Sequence, residues 1–153
     1  MANQLSSSEE ETRAAGERLA AELAPHGILL LSGDLGAGKT VLAQGVARGL
    51  GIDPGEVQSP TFTLIREHEG APLAAGEPAE EAGGQARRLV HIDLYRLEPE
   101  EVWGIGLEEI LAGDGVKVVE WAERLPYEPP GALRIELLRT SDGRREIRRV
   151  DPA

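Results

Sequence analysis

Residues Gly33-Asp34-Leu35-Gly36-Ala37-Gly38-Lys39-Thr40 read G-x-x-x-x-G-K-T, and no other stretch constrains the fold so tightly. The pattern requires a strand before it and a helix after it. Both are present. Ile28-Leu29-Leu30-Leu31 is a short apolar run suited to a buried parallel strand. Val41 to Leu50 follows, with apolar residues at helical spacing.

The residue types fit the binding of a polyphosphate, whose several negative charges must be met without bulk. Gly33, Gly36 and Gly38 can take backbone angles closed to other residues, and they have no Cβ to hold a phosphate away. The loop amides then converge at a helix N-terminus, where the dipole favours negative charge. Lys39 would reach the β- and γ-phosphates, and the Thr40 hydroxyl would hold Mg²⁺. The expectation is a nucleotide site.

Composition narrows the setting. At 153 residues the chain is expected to form one domain with a real core. Aromatics make up only 3%, so that core should be aliphatic. There is no cysteine, which excludes a disulfide framework, a thiol nucleophile and a cysteine metal site. No apolar run approaches the length of a membrane span, and the N-terminus lacks a signal-peptide pattern. A cytoplasmic location is expected. The net charge of −11 makes the chain a poor direct ligand for a nucleic-acid backbone. Lys39 and Lys117 are its only lysines.

Further candidates lie along the chain. Ser7 or Ser8 can cap a first helix, with Glu10 or Glu11 completing a capping box, and Ala15, Leu19, Ala20 and Leu23 on one face. Val57 to His68 reads as an extended run in which Pro60 resists helix. It is an ordinary strand, or a switch-like segment that brings the Ser59 or Thr61 hydroxyl near a γ-phosphate. Residues 70–88 are rich in Ala, Gly, Glu and Pro without periodicity, and read as a mobile loop joining two strands. Leu89 to Arg96 is the next strand. Asp93 stands late in it, either making a local turn or serving as the carboxylate that holds a Mg²⁺ shell or orients water. His91 falls on the same face as Asp93.

Glu98-Pro99 opens a short helix, and a second follows Gly104-Ile105-Gly106. Glu120 ends the β-branched strand Val116 to Glu120 and is a second acidic candidate, or a solvated strand terminus. Leu133 to Leu138 and Arg145 to Val150 read as a hairpin around Ser141-Asp142-Gly143, its last strand a charged sheet edge.

Four segments taken together resemble the bacterial TsaE (YjeE) family. They are the G-D-L-G-A-G-K-T loop, Ser59-Pro60-Thr61-Phe62-Thr63-Leu64, His91-Ile92-Asp93-Leu94-Tyr95-Arg96-Leu97 and Val119-Glu120-Trp121-Ala122-Glu123-Arg124-Leu125. The resemblance runs from about residue 11 to the C-terminus, and the departure is the 70–88 segment, longer than usual. It implies a single P-loop ATPase domain over 1–153. The implied fold is three-layer α/β/α, with a central mixed, largely parallel sheet and antiparallel C-terminal strands. It also implies an ATPase that assists threonylcarbamoyl transfer to adenosine in tRNA. Such a protein binds the TsaD and TsaB proteins, meets tRNA only through them, and resets their complex by hydrolysis.

Carried over by motif, the phosphate cradle is Gly36, Ala37, Gly38, Lys39, Thr40 and Val41. Mg²⁺ is held by Thr40 and Glu120, with Asp93 in or near the same shell. Ser59 and Thr61 line the γ-phosphate side, Trp121 sits beside the site, and the base lies near Ser8 and Glu9. ATP rather than another nucleotide rests on the resemblance. From the residues alone, a small P-loop kinase and a nucleotide-gated binding module without turnover stay open.

Overall fold

The computed structural model describes residues 3–34, 36, 38–58, 64–70 and 88–150. Seven strands form one sheet: β1 (Gln4–Ser6), β2 (Ile28–Gly33), β3 (Ile65–Glu69), β4 (Arg88–Asp93), β5 (Val116–Glu120), β6 (Leu133–Arg139) and β7 (Arg145–Val150). Their order across the sheet is β1-β7-β6-β2-β5-β4-β3. The central four, β6-β2-β5-β4, are mutually parallel. β3, β7 and β1 add to either side antiparallel. The sheet is therefore mixed with a parallel centre, as the family resemblance implies.

Helices α1 (Glu9–Leu23) and α2 (Lys39–Gly49) cover one face, and α3 (Pro99–Val102) and α4 (Leu107–Leu111) cover the other. The apolar run of β2 explains this layering. Leu29 and Leu31 point into the cluster under α1 and α2, which includes Leu19, Leu42 and Val46. Leu30 points the opposite way, into the cluster with Val102, Leu107 and Leu111. Both clusters are almost wholly aliphatic, matching the scarcity of aromatics.

The first helix starts as its residues direct. Ser8 is its N-cap and accepts from the Glu11 amide at 3.1 Å. Glu11 reaches back to the Ser7 amide. Helices α1 and α2 then pack with their backbones nearly touching. A Cβ on Gly45 would lie 2.1 Å from the Arg13 carbonyl oxygen, so only glycine allows this approach.

One expectation is corrected. β7 is not a sheet edge, because Gln4–Ser6 forms a short strand that pairs outside it. Three residues next to a helix cap carry too little pattern to read as a strand. Of the extended run from Val57 to His68, the described part is strand from Ile65, in β3 (Ile65–Glu69), and a 3₁₀ turn at Pro54–Glu56 precedes the run. Residues 59–63, including Ser59 and Thr61, lie outside the described residues, as does 71–87. No helix among the described residues is long and apolar enough to cross a membrane.

Candidate functional site

The parallel centre of the sheet sets the site. β2, β4 and β5 end together, so their C-terminal residues deliver Gly33, Asp93 and Glu120 to one edge. β2 lies where the chain departs to both sides of the sheet, and crevices in such sheets form at that switch point. Asp93 and Glu120 are directly paired across β4 and β5. Both are buried, at 6% and 2% exposure.

The loop after β2 turns directly into α2. Gly38 is the N-cap with φ +103°, a left-handed conformation that favours glycine. No side chain caps this helix, and its first turn holds no acidic residue. The first turn of α1, by contrast, carries Glu9, Glu10 and Glu11. The amides at the start of α2 are thus left for an anion.

Lys39 is 5% exposed and folds back on its own loop. Its Nζ donates to the carbonyl oxygens of Gly33 at 2.5 Å and Asp34 at 2.8 Å. It also lies 4.0 Å from the centre of a Trp121 ring. Burial pushes the Lys39 pKa down, opposed by the carboxylates of Glu123, Glu120, Asp34 and Asp93. Four negative groups therefore surround one ammonium. A polyphosphate entering this cleft would need a further cation to offset them.

Thr40 Oγ1 donates to Glu120, 3.0 Å from Oε1 and 3.1 Å from Oε2. Glu120 Oε2 also lies 2.5 Å from Nε2 of His91, which is fully buried. Asp93 Oδ1 accepts from the Tyr95 amide at 2.9 Å. Hydroxyl and carboxylate oxygens suit Mg²⁺, which commonly takes one or two carboxylates and completes its shell with water and phosphate. No three His, Asp or Glu side chains among the described residues close into a cation site of their own. The residues fit a Mg²⁺ that arrives with a polyphosphate.

Trp121 follows Glu120 with φ 60° and ψ 44°, and is the single non-glycine at positive φ among the described residues. That backbone costs on the order of 1–2 kcal/mol. Stacking against Tyr95, with centroids 4.9 Å apart, and the contact with Lys39 offset it.

Ser8, Glu9, Gly36, Gly38 and Val41 line one hollow of about 170 Å³ beside the loop, together with Thr12, Gly143 and Arg145. The structure thus gathers Lys39, Thr40, Asp93, Glu120 and Trp121 on one side of the loop, and Ser8, Glu9 and Val41 on the other. Ala37, Ser59 and Thr61 lie outside the described residues.

Three participants escape the sequence reading. Arg145 donates to the Gly36 carbonyl oxygen at 3.3 Å across 109 residues of chain. Arg139 Nη1 lies 3.7 Å from where a Gly36 Cβ would stand. Nothing local marks either, since the β6–β7 turn reads as an ordinary hairpin. Glu123 accepts from the Gly33 amide at 3.4 Å. Its spacing from Glu120, two carboxylates around one strand end, was the available signal.

Residues 6–147 match the family model described as threonylcarbamoyl adenosine biosynthesis protein TsaE. The tRNA threonylcarbamoyladenosine biosynthesis protein TsaE of Bacillus subtilis (strain 168) is 42% identical over 142 residues, covering 90% of this chain and 78% of that one. Its namesake in Nostoc sp. (strain PCC 7120) is 38% identical over 141 residues, with the same coverage of 90% and 78%. The crystal structure of Bacillus subtilis YdiB superposes with a TM-score of 0.67 at 36% identity, covering 95% of this chain and 81% of that one.

Proposed function

The chain belongs to the TsaE family, and from that premise we propose that it is a Mg²⁺-dependent ATPase serving threonylcarbamoyl modification of adenosine in tRNA. Its cytoplasmic partners are the TsaB and TsaD proteins, and it meets tRNA only through them. Hydrolysis resets their complex between rounds. The observation that carries this reading is the convergence of Lys39, Thr40 and Glu120 at an uncapped helix N-terminus. The acidic charge of the chain favours a tRNA-binding surface on the partners rather than here.

In this reading ATP lies across the start of α2. The amides of residues 36–41 cradle the phosphates, and the base and ribose enter the hollow by Ser8 and Glu9, closed by Arg145. Ser59 and Thr61 face the γ-phosphate. Thr40 and Glu120 would hold Mg²⁺, with Asp93 beside them. When bound, that ion neutralises phosphate charge that the cleft's four carboxylates would otherwise repel.

Lys39 leaves the Gly33 and Asp34 carbonyls and turns to the β- and γ-phosphates. Water then attacks the γ-phosphorus in line. The new P–O bond forms as the bond to the β-phosphate oxygen breaks, and ADP leaves with that electron pair. Lys39 and the loop amides stabilise the charge on the transferring group. Asp93 and Glu120 are the acidic candidates for orienting the water, whose proton leaves to solvent with the released phosphate. Trp121 beside Lys39 senses whether the ammonium is retracted or extended.

Turnover alone is slow and rises when the partners order the site, as intrinsic hydrolysis on such loops can lie orders of magnitude below the assisted rate. The direct test is binding and hydrolysis of Mg·ATP by the purified protein beside Lys39→Ala. Loss of hydrolysis in the variant is expected. Unaltered turnover by Lys39→Ala would overturn the assignment.

A further inference from the structure

We propose that His91 is the positioning residue for Glu120, fixing the carboxylate that the Mg²⁺ reading above assigns to the metal. The inference rests on that reading and goes one shell beyond it.

His91 stands in mid-β4 on the face that packs under α1 and α2, level with Val118 of β5. Glu120 is level with Asp93, two residues further along. The two side chains nevertheless meet, with Nε2 and Oε2 2.5 Å apart. Both are essentially without solvent contact, at 0% and 3% side-chain exposure. An ionised carboxylate can only accept, so the hydrogen of this bond sits on Nε2. The other ring nitrogen, Nδ1, is buried and has no hydrogen-bond partner among the described residues. The bond to Glu120 is therefore the polar engagement that the ring makes there.

Its register neighbours on this face are Leu89 and Asp93 along β4, Val118 on β5 and Arg66 on β3. If packing were the only task, an aliphatic side chain would fill the place without burying an imidazole with one nitrogen unmet. What the imidazole adds is a donor aimed at Glu120. With Thr40 bonding both carboxylate oxygens from α2 and His91 bonding one from β4, Glu120 is gripped from two elements. The carboxylate is thereby pre-set toward Thr40, the residue that would share the ion with it. Partners in such an outer shell typically change metal affinity by about 10–100-fold when removed.

The test is the gain in ADP affinity conferred by Mg²⁺, measured by calorimetry on the full chain. In His91→Leu, which keeps bulk and loses the donor, the gain should fall by about 10-fold or more. In His91→Gln, whose amide can still reach the carboxylate, most of the gain should return. His91→Asn, too short to reach, should behave as His91→Leu and replaces it if the leucine variant does not fold. In a Glu120→Gln background His91→Leu should cause no further loss. A folded His91→Leu or His91→Asn protein with the full Mg²⁺ gain would overturn the inference, as would a Gln variant no better than them. Wild-type protein that binds ADP identically with and without Mg²⁺ would overturn the metal reading itself.

Discussion

Thr40 and Glu120, 80 residues apart in the chain, are joined by a hydroxyl that donates to both oxygens of one buried carboxylate. The bond ties the first turn of α2 to the end of β5. In the absence of a cation it keeps two hard oxygen groups together. Thr40→Ala and Glu120→Gln should each weaken Mg²⁺-dependent nucleotide binding by at least about 10-fold. Binding of ADP without Mg²⁺ should change much less. Calorimetric titrations with and without the ion check this, and equal losses in both conditions would speak against a shared metal role.

Trp121 should report nucleotide binding. Its indole lies over Lys39, and Lys39 must leave its two carbonyl partners to reach a phosphate. The second tryptophan, Trp103, packs instead on Tyr127 with centroids 5.2 Å apart. Fluorescence should therefore shift on adding Mg·ADP in wild type and in Trp103→Phe. The shift should vanish in Trp121→Phe. A signal that follows Trp103 would place the rearrangement elsewhere.

Arg145 reaches the phosphate-binding loop from β7 through the Gly36 carbonyl and walls the hollow opposite Ser8. Arg145→Ala should raise the Kd for ATP by about 10-fold, the worth of one hydrogen bond to a charged group. Binding of inorganic tripolyphosphate, which has no base or ribose, should barely change. Parallel loss for both ligands would move Arg145 to the phosphates.

Lys117 gives a pH prediction. It is 1% exposed in β5, and its Nζ donates to the carbonyl oxygens of His26 and Gly113, both at 2.7 Å. Burial pushes its pKa below the usual lysine value of 10.5. Between the folded value and 10.5 the unfolded chain binds more protons, so this residue makes stability rise with pH in that window. Urea denaturation across that range should show the stability difference between wild type and Lys117→Met growing in favour of wild type. A difference flat with pH would contradict the shift.

Much of the layout was legible because it is locally encoded. The run Ile28–Leu31 buries both faces of β2, and Ser8 with Glu11 marks the start of α1. The glycines and Lys39-Thr40 mark a phosphate loop by themselves. Asp93 and Glu120 were readable as carboxylates at strand ends, but their pairing needed the parallel register of β4 and β5. What escaped depends on contacts made late in the chain. β1 is three residues long and exists because β7 offers it an open edge. Arg145 meets Gly36 only because β6 runs beside β2 and turns back over the loop. His91 was visible as a face-mate of Asp93, yet its partner stands on another strand and two residues out of level.

The most direct measurement is steady-state ATP hydrolysis by the purified protein, alone and with a TsaB–TsaD pair and tRNA, with Lys39→Ala as the control. Slow turnover alone, strong stimulation by the partners and none from the variant are the predicted results. Turnover that ignores the partners would contradict the account and point to an independent phosphotransfer enzyme on the same loop.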